Sequence, residues 1–337
     1  MIERRALFGL WLAAFVLPSL EAEADSATVR IGQGVPTVSF LPLLAARALD
    51  SFKEQGLELQ FAAIRGGDPA TLAALDSGDI DFAAVGSDTA LEAIAKGQPF
   101  QLIYSLMSEV SLELVVSNDL LRRTGVGPTS PLAKRIEALK DATIGVSAVG
   151  GAQDRTARWL AAQGGLDPQH DLKIAMIGPP PAIHAALEQG QIDAFLLSPP
   201  EGTLTERANA GQVLIRLGAE FPELRQLPFL VLVAKTPMSA DGRKLAVSTA
   251  RALQAASRET LSDPSGVSEQ IRQKFYAQLA PDVMRSAIES LHDGIAGLGA
   301  LSEPQIEAAL RFTGSAAGKP KQSAWTDTIV EAARKVP

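Results

Sequence analysis

One short motif occurs twice in this chain, and the two copies are 112 residues apart. Residues 74–81 read Ala-Leu-Asp-Ser-Gly-Asp-Ile-Asp, and residues 186–193 read Ala-Leu-Glu-Gln-Gly-Gln-Ile-Asp. In both copies a helix-like stretch ends at a glycine, Gly78 or Gly190, and Ile-Asp then leads into a short apolar run. Because this spacing is that of a whole domain, the repeat predicts two similar lobes with one cleft between them.

Other features agree with a duplicated α/β architecture. The pair Ile31-Gly32 recurs as Ile144-Gly145 at nearly the same offset. The length of 337 residues suits two domains, since single cores stop growing at roughly 250–300 residues. Short β-type runs alternate with amphipathic segments in both halves, which predicts an α/β fold with mainly parallel sheets.

Two β-type runs are predicted to connect the lobes. We assign Leu112–Ser117 to the first crossing and Pro228–Ala234 to the second. Two crossings between two lobes form a hinge geometry. Beyond Ser239 the pattern is helical, and the simplest packing returns this tail to the first lobe. Its amphipathic segments lie near 239–262, 264–279, 281–292, 303–313 and 325–335.

The composition excludes several classes of protein. A formal net charge of −7, with no block of basic residues, argues against a nucleic-acid-binding surface. Cysteine is absent, which excludes thiol chemistry, disulfide bonds and a lipid-modified cysteine behind a leader sequence.

Residues 1–24 have the features of a secretory signal peptide. Arg4 and Arg5 precede an apolar run at 6–20, and residues 22–24, Ala-Glu-Ala, fit a small-x-small cleavage site. That run has 15 residues, whereas a membrane-spanning helix needs about 20, which favours a signal peptide over the alternative of an uncleaved membrane anchor. We expect cleavage after Ala24 and a mature protein that is free in the periplasm.

Loops rich in Gly, Ser and Pro follow the predicted strands in both halves. In open α/β sheets, ligands collect beyond the carboxyl ends of the strands, where helix N-termini present free N–H groups. The candidate cleft loops are residues 34–40, 65–68 and 86–88 from the first half, and 147–152, 178–181 and 198–201 from the second. Helix capping and turns that need a positive φ are the structural alternatives for these loops.

The charged and aromatic residues in these loops leave the ligand's charge open. Asp88 and Glu201 could accept hydrogen bonds from a ligand amine or hydroxyl, or could complement helix dipoles. Arg65 could pair with an anion or remain solvated. Phe40 could stack on a ligand or join the helix core.

Catalytic interpretations have little support in the sequence. His170, His184 and His292 lie in a loop, on an internal helix and in the tail, away from the expected cleft rim and without metal-ligand spacing. The nucleophile-elbow, phosphate-loop and His-Glu-x-x-His motifs do not occur. We therefore expect no catalytic residue, no metal and no cofactor.

Several segments, in order, resemble the solute-binding proteins of ABC importers for aliphatic sulfonates, taurine, nitrate and thiamine precursors. Residues 43–57 are similar to that family's helix and its Phe-x-x-x-Gly-Leu turn. Residues 74–87 are similar to its first cleft strand, and residues 139–151 to the opening of its second lobe. The resemblance extends from Val29 to Gly211, and the helical tail matches only in style.

The resemblance implies the two-lobed periplasmic binding protein fold of type II. Lobe 1 would consist of residues 28–112 and 226–337, and lobe 2 of residues 115–222. It further implies a monomer that closes on a small solute and delivers it to an ABC-type membrane permease, with no nucleic-acid partner. The site residues that it implies are Val35, Pro36, Thr37, Val38, Ser39, Phe40, Gly66, Gly67, Gly86, Ser87, Asp88, Val149, Gly150, Gly151, Ser198, Pro200 and Glu201.

The identity of the solute stays open in the sequence. An anion such as a sulfonate is the leading expectation, although Glu201 in a cleft loop weakens a purely anionic ligand. A thiamine-precursor-like pyrimidine, or another neutral or amine solute, is the alternative, but aromatic residues make up only 5% of the chain. The rival functions are a biosynthetic enzyme on the same fold, whose Cys-rich motif is missing, and a sensor that presents the solute to a receptor.

Overall fold

The computed structural model describes residues 26–34, 37–312 and 322–335. The predicted signal peptide at 1–24 therefore lies outside the described residues. The described chain forms two five-stranded sheets. With strands numbered in chain order, the first sheet contains β1 (Ala27–Gln33), β2 (Leu57–Ala63), β3 (Phe82–Gly86), β4 (Phe100–Met107) and β10 (Leu230–Lys235), and the second contains β5 (Glu113–Ser117), β6 (Thr143–Val146), β7 (Lys173–Met176), β8 (Ala194–Leu197) and β9 (Gly211–Arg216).

The two sheets have the same topology. The strand orders are β2-β1-β3-β10-β4 and β7-β6-β8-β5-β9. The first three strands of each sheet are parallel, and the fourth is antiparallel to both neighbours. That antiparallel strand is in each sheet the one that the chain reaches by crossing from the other lobe. The predicted two-lobed α/β fold with mainly parallel sheets is confirmed.

One packing contact explains much of the sequence repeat. A Cβ placed on Gly32 in β1 would lie 2.6 Å from Cδ1 of Ile80, and a Cβ on Gly145 in β6 would lie 2.5 Å from Cδ1 of Ile192. The glycines therefore leave room for an isoleucine at equivalent points of the two sheets.

The aspartate that follows each isoleucine joins the same strand. Asp81 Oδ2 accepts a hydrogen bond from the backbone N–H of Arg30 at 2.8 Å, and Asp193 Oδ2 accepts one from the N–H of Thr143 at 2.8 Å. Each motif thus connects the end of a helix to the sheet that the helix covers.

Helices cover both sheets and form the tail. No helix of the described residues is both long and apolar enough for a membrane crossing. In chain order the helices are α1 (Leu41–Ala48), α2 (Ser51–Glu54), α3 (Gly67–Ser77), α4 (Ser87–Ala95), α5 (Asn118–Thr124), α6 (Leu132–Glu137), α7 (Ala152–Gln163), α8 (Pro180–Glu188), α9 (Glu201–Arg207), α10 (Leu217–Glu220), α11 (Ala240–Ser262), α12 (Pro264–Phe275), α13 (Pro281–Ser290), α14 (His292–Ile295), α15 (Glu303–Phe312) and α16 (Thr328–Arg334).

The apolar core has two large parts. One lies between the first sheet, α1 and the tail helices α11 and α16. The other runs from the opposite face of the first sheet through the crossings into the second lobe, and includes α15. The tail therefore packs mainly on the first lobe, while α15 also meets the second lobe through the ring contact between Phe312 and Trp159.

The crossings lie just before the runs that the sequence suggested. Most of Leu112–Ser117 forms β5 inside the second sheet, and most of Pro228–Ala234 forms β10 inside the first, because both runs are apolar on both faces and pair on both edges. The connections themselves are residues 108–112 and 217–229. They lie side by side: the Gly218 N–H donates to Val110 O at 3.1 Å, and the Leu227 N–H donates to Ser108 O at 3.2 Å.

Candidate functional site

An ion pair joins the two lobes at the cleft. Asp88 lies in the first turn of α4, directly behind β3, and Arg155 lies in the first turn of α7, behind β6. The guanidinium of Arg155 donates to Asp88 Oδ2. The Arg155 side chain is 34% exposed and that of Asp88 is 15% exposed. The two helix starts that follow parallel strands, where ligands collect in such sheets, therefore meet across the cleft.

A second carboxylate of the first lobe lies near the same guanidinium. Asp68, in the first turn of α3, accepts a hydrogen bond from the Gly86 N–H at 2.8 Å. Burial raises the pKa of Asp68, although the Gly86 hydrogen bond and the charge of Arg155 act in the opposite direction. Burial likewise lowers the pKa of Arg155, and Asp68 opposes that change. The guanidinium of Arg155 thus interacts with the carboxylates of both Asp88 and Asp68.

A narrow crevice adjoins this ion pair, and its cavity volume of about 10 Å³ has room for about one water molecule. Both lobes, the second crossing and the tail contribute to its lining, which consists of Ser87, Asp88, Ala152, Arg155, Thr156, Phe229 and Phe312. Two phenyl rings therefore stand beside the charged groups, which the low aromatic content of the sequence did not suggest. Phe312 is held by an edge-to-face contact with Trp159 in α7, at a centroid distance of 5.4 Å.

A histidine–glutamate pair lies at the start of α9. His184 Nε2 in α8 is 2.5 Å from Glu201 Oε2, and His184 Nδ1 is 3.1 Å from Thr205 Oγ1. His184 of α8 therefore contacts a predicted site residue, while the expectation that the histidines lie outside the site stays a prediction. The described residues contain no group of three or more His, Asp or Glu side chains able to hold a metal ion.

The first predicted loop, residues 34–40, contains both core residues and a less buried one. Val38 and Phe40 are buried in the core of the first lobe, which favours the core alternative for Phe40. Ser39 is also buried, and among the described residues its hydroxyl has no hydrogen-bond partner. Thr37 is half-buried, while Val35 and Pro36 lie outside the described residues.

The glycines of the next loop have left-handed backbone conformations. Gly66 has φ 103° and Gly67 has φ 73°, so both serve a turn that few other residues adopt. This turn places Asp68 at the start of α3. Gly86, the last residue of β3, and Ser87, the first residue of α4, are buried, and the Ser87 N–H donates to Phe229 O at 3.0 Å.

In the second lobe, side chains from the start of α7 already bond to backbone groups of the predicted loop 147–152. The Gly150 N–H donates to Asp154 Oδ2 at 2.7 Å, and the Ser147 N–H donates to Gln153 Oε1 at 2.6 Å. The Gly150 carbonyl accepts a hydrogen bond from Arg155. The remaining members of this group are Val149, which is 63% exposed, and Gly151, the residue before α7.

The last predicted loop lies at the crossing. Ser198 Oγ is 2.9 Å from Ser111 Oγ, so this loop touches the first connection between the lobes. Pro200 is buried and precedes α9, whose first residue is Glu201.

Arg155 and the role of Asp68 are what the sequence interpretation missed. Arg155 looked like an ordinary polar position of an amphipathic helix. Its place was nevertheless unusual, because a cation in the first turn of a helix meets the positive end of the helix dipole. Asp88 and Asp68 of the other lobe offset that repulsion.

Comparison with known proteins assigns the chain to a family. The model of the NMT1-like family matches residues 22–269. YtlA of Bacillus subtilis (strain 168), described as a binding protein, is 22% identical over 286 residues, which cover 84% of this chain and 81% of that protein.

Solved structures share the fold. The ligand-binding component of an ABC-type import system from Staphylococcus aureus, with zinc bound, superposes with a TM-score of 0.70 at 15% identity, over 91% of this chain and 99% of that chain. The periplasmic aliphatic sulphonate binding protein SsuA from Escherichia coli gives a TM-score of 0.65 at 16% identity, over 85% of each chain. The predicted periplasmic binding protein fold is confirmed. Because the family model spans well over half of the sequence, including the whole second lobe, the chain belongs to the NMT1-like family.

Proposed function

We propose that this protein is the solute-binding component of an ABC importer, and that it is not an enzyme. It would bind a small organic solute in the cleft between the lobes and deliver it to a membrane permease. The observation that carries the proposal is the pocket around Asp88 and Arg155, whose lining comes from both lobes. A solute that contacts both lobes at once stabilises the closed state over the open one, and a permease can recognise that difference.

The Arg155 guanidinium supports an organic solute with an anionic group, such as a sulfonate. Arginine binds such groups through paired N–H donors in a planar fork. The carboxylates of Asp68 and Asp88 support the amine alternative, because they would accept from a protonated nitrogen. The two phenyl rings of the pocket are compatible with a short apolar portion between such groups.

We also propose how the lobes move. Residues 28–112 with 226–337 would move as one body and residues 115–222 as the other, with bending at the paired connections. The protein would act as a monomer in the periplasm after removal of residues 1–24.

A screen of thermal stability on the chain without residues 1–24 tests this function. The panel holds sulfonates, nitrate, carboxylates, amines and pyrimidines. A ligand at 100 times its Kd should add about 2.7 kcal/mol to the free energy of unfolding. The compound that binds best should also reduce the protein's radius of gyration in small-angle X-ray scattering. Cells that lack the gene for this protein should no longer take up that compound. Binding without any change in uptake would point instead to a sensor, and turnover of the bound compound to an enzyme.

A further inference from the structure

The two aspartates at the cleft already hold a cation that belongs to the protein. Arg155 reaches from the second lobe to Asp88, and its charge also stabilises the ionised form of Asp68. Both aspartates belong to the first lobe and flank the carboxyl end of the same strand, since Asp68 accepts from the Gly86 N–H and Asp88 follows two residues later. The guanidinium therefore lies where a bound cation would be favoured.

We propose that the transported solute must carry a cationic nitrogen, which Asp68 and Asp88 bind in place of the Arg155 guanidinium. This inference rests on the proposed function and names the class of solute that the cleft would take. A solute with only an anionic group would be rejected, whereas one with both charges could use Arg155 as well.

The balance of charge around the pocket carries the first step. When both carboxyl groups are ionised, Asp68 and Asp88 contribute two negative charges beside the single positive charge of Arg155. An anion bound to Arg155 would add a third negative charge next to the two carboxylates, which repels all three groups in a desolvated place. A cationic nitrogen instead brings the local charge closer to zero.

The difference in exposure carries the second step. Asp88 is 15% exposed, and its Oδ1 is already fixed by the Thr89 N–H at 2.7 Å, so the carboxylate cannot turn out to water. An anion that took Arg155 away would leave the largely buried carboxylate of Asp88 without a cationic partner, which is unfavourable. Arg155 is 34% exposed and keeps the Gly150 carbonyl as an acceptor, so it can leave Asp88 and remain solvated. The exchangeable partner is therefore the cation.

The test uses short ω-amino acids together with the alkylamines and alkanoates of the same chain lengths, measured by isothermal titration calorimetry on the full mature chain. We expect compounds with an amine to bind at least about ten-fold more tightly than the matched alkanoates. Asp88→Asn should weaken amine binding by roughly ten-fold. Arg155→Gln should have the opposite effect and tighten the binding of plain alkylamines, because it removes the internal competitor. If Asp88 and Arg155 only supported the fold, the two substitutions would not change amine binding in opposite directions.

Asp282→Asn is the matched control, since Asp282 pairs with Arg207 and is not part of the pocket lining. It should leave the preference for amines unchanged. Tighter binding of alkanoates or alkanesulfonates than of amines would overturn the inference, as would weaker alkylamine binding by Arg155→Gln, or a panel in which no amine binds. If a plain anion binds and is taken up, the transport function stands and only the cation requirement fails.

Discussion

A Cβ on Gly145 would lie 2.5 Å from Cδ1 of Ile192, so the glycine is required by the isoleucine that covers it. We predict that Gly145→Ala destabilises the protein by about 1–3 kcal/mol, the usual cost of overpacking a core. Urea unfolding followed by circular dichroism measures the change.

Ile192→Val removes the methyl group that the new Cβ would meet, which gives this prediction an internal control. Alone it should cost about 0.5–1.5 kcal/mol. Combined with Gly145→Ala it should cost less than the sum of the single changes, because the two sites share one space. Simple additivity would show that the contact does not cause the loss.

We predict that the Asp88–Arg155 ion pair keeps the lobes closer together before any solute is bound. An ion pair at a partly exposed site contributes up to about 1 kcal/mol, so its loss should lower the ratio of closed to open molecules roughly five-fold. Small-angle scattering of Asp88→Asn without solute should show a larger radius of gyration, and salt should have the same effect on the wild type. Asp241→Asn, which breaks a pair inside α11, should not change the radius.

Glu113 should make stability depend on pH. It is buried at the start of β5 and accepts a hydrogen bond from Arg216 Nε at 3.0 Å. Burial raises the pKa of Glu113 above its ordinary 4.5, although Arg216 opposes the change. The folded state therefore binds this proton more tightly than the unfolded state, and folding becomes less favourable as the pH rises from 4.5 towards the raised value.

The variant Glu113→Gln has no charge to bury, so its stability relative to the wild type should improve as the pH rises through that window. Urea midpoints between acid and neutral pH measure the difference. Glu137→Gln is the control with the opposite sign, because a hydrogen bond from Lys134 lowers the pKa of this exposed glutamate. The prediction would be contradicted if the urea midpoints of Glu113→Gln and the wild type differed by the same amount at every pH.

Glu201 stays a predicted solute contact, and we expect His184 to act on the solute through it. It holds Glu201 Oε2 at 2.5 Å, which fixes the direction of the carboxylate. We predict that His184→Gln weakens solute binding by roughly ten-fold, and that adding Glu201→Gln causes little further loss, because residues of one network are not additive. Calorimetry with the best solute of the screen provides the measurement. The exposed pair His170–Asp167 offers the control: His170→Gln should bind as the wild type does.

The two-lobed fold could be predicted because its cause is local and occurs twice. The Gly-x-Ile-Asp pattern marks a helix end, an isoleucine that covers a strand glycine and an aspartate that binds the strand, and all of these act within one lobe. The strands β5 and β10 were placed in the connections because an apolar run does not show which sheet it joins. Their pairing depends on neighbours that are distant in sequence.

The candidate site was harder to predict, since its charges meet only after the lobes are assembled. Asp88 was recognised from its position behind a strand, whereas Arg155 has a partner 67 residues away on the other lobe. The contact between His184 and Glu201 could not be predicted for the same reason, because the pattern within one helix does not show which helix lies next to it. Val38 and Phe40 show that a position in a predicted cleft loop does not prevent a side chain from packing into the core.

The hydrogen bonds between the two connections restrict the way in which the lobes can swing. A single connecting segment could twist and shear freely. Two segments that are hydrogen-bonded to each other, at Val110–Gly218 and Ser108–Leu227, have to bend together. We therefore expect the proposed opening to follow mainly one bending motion, so that each closure would bring the same side chains face to face. The lobes would then not need to sample many relative orientations before they enclose a bound molecule.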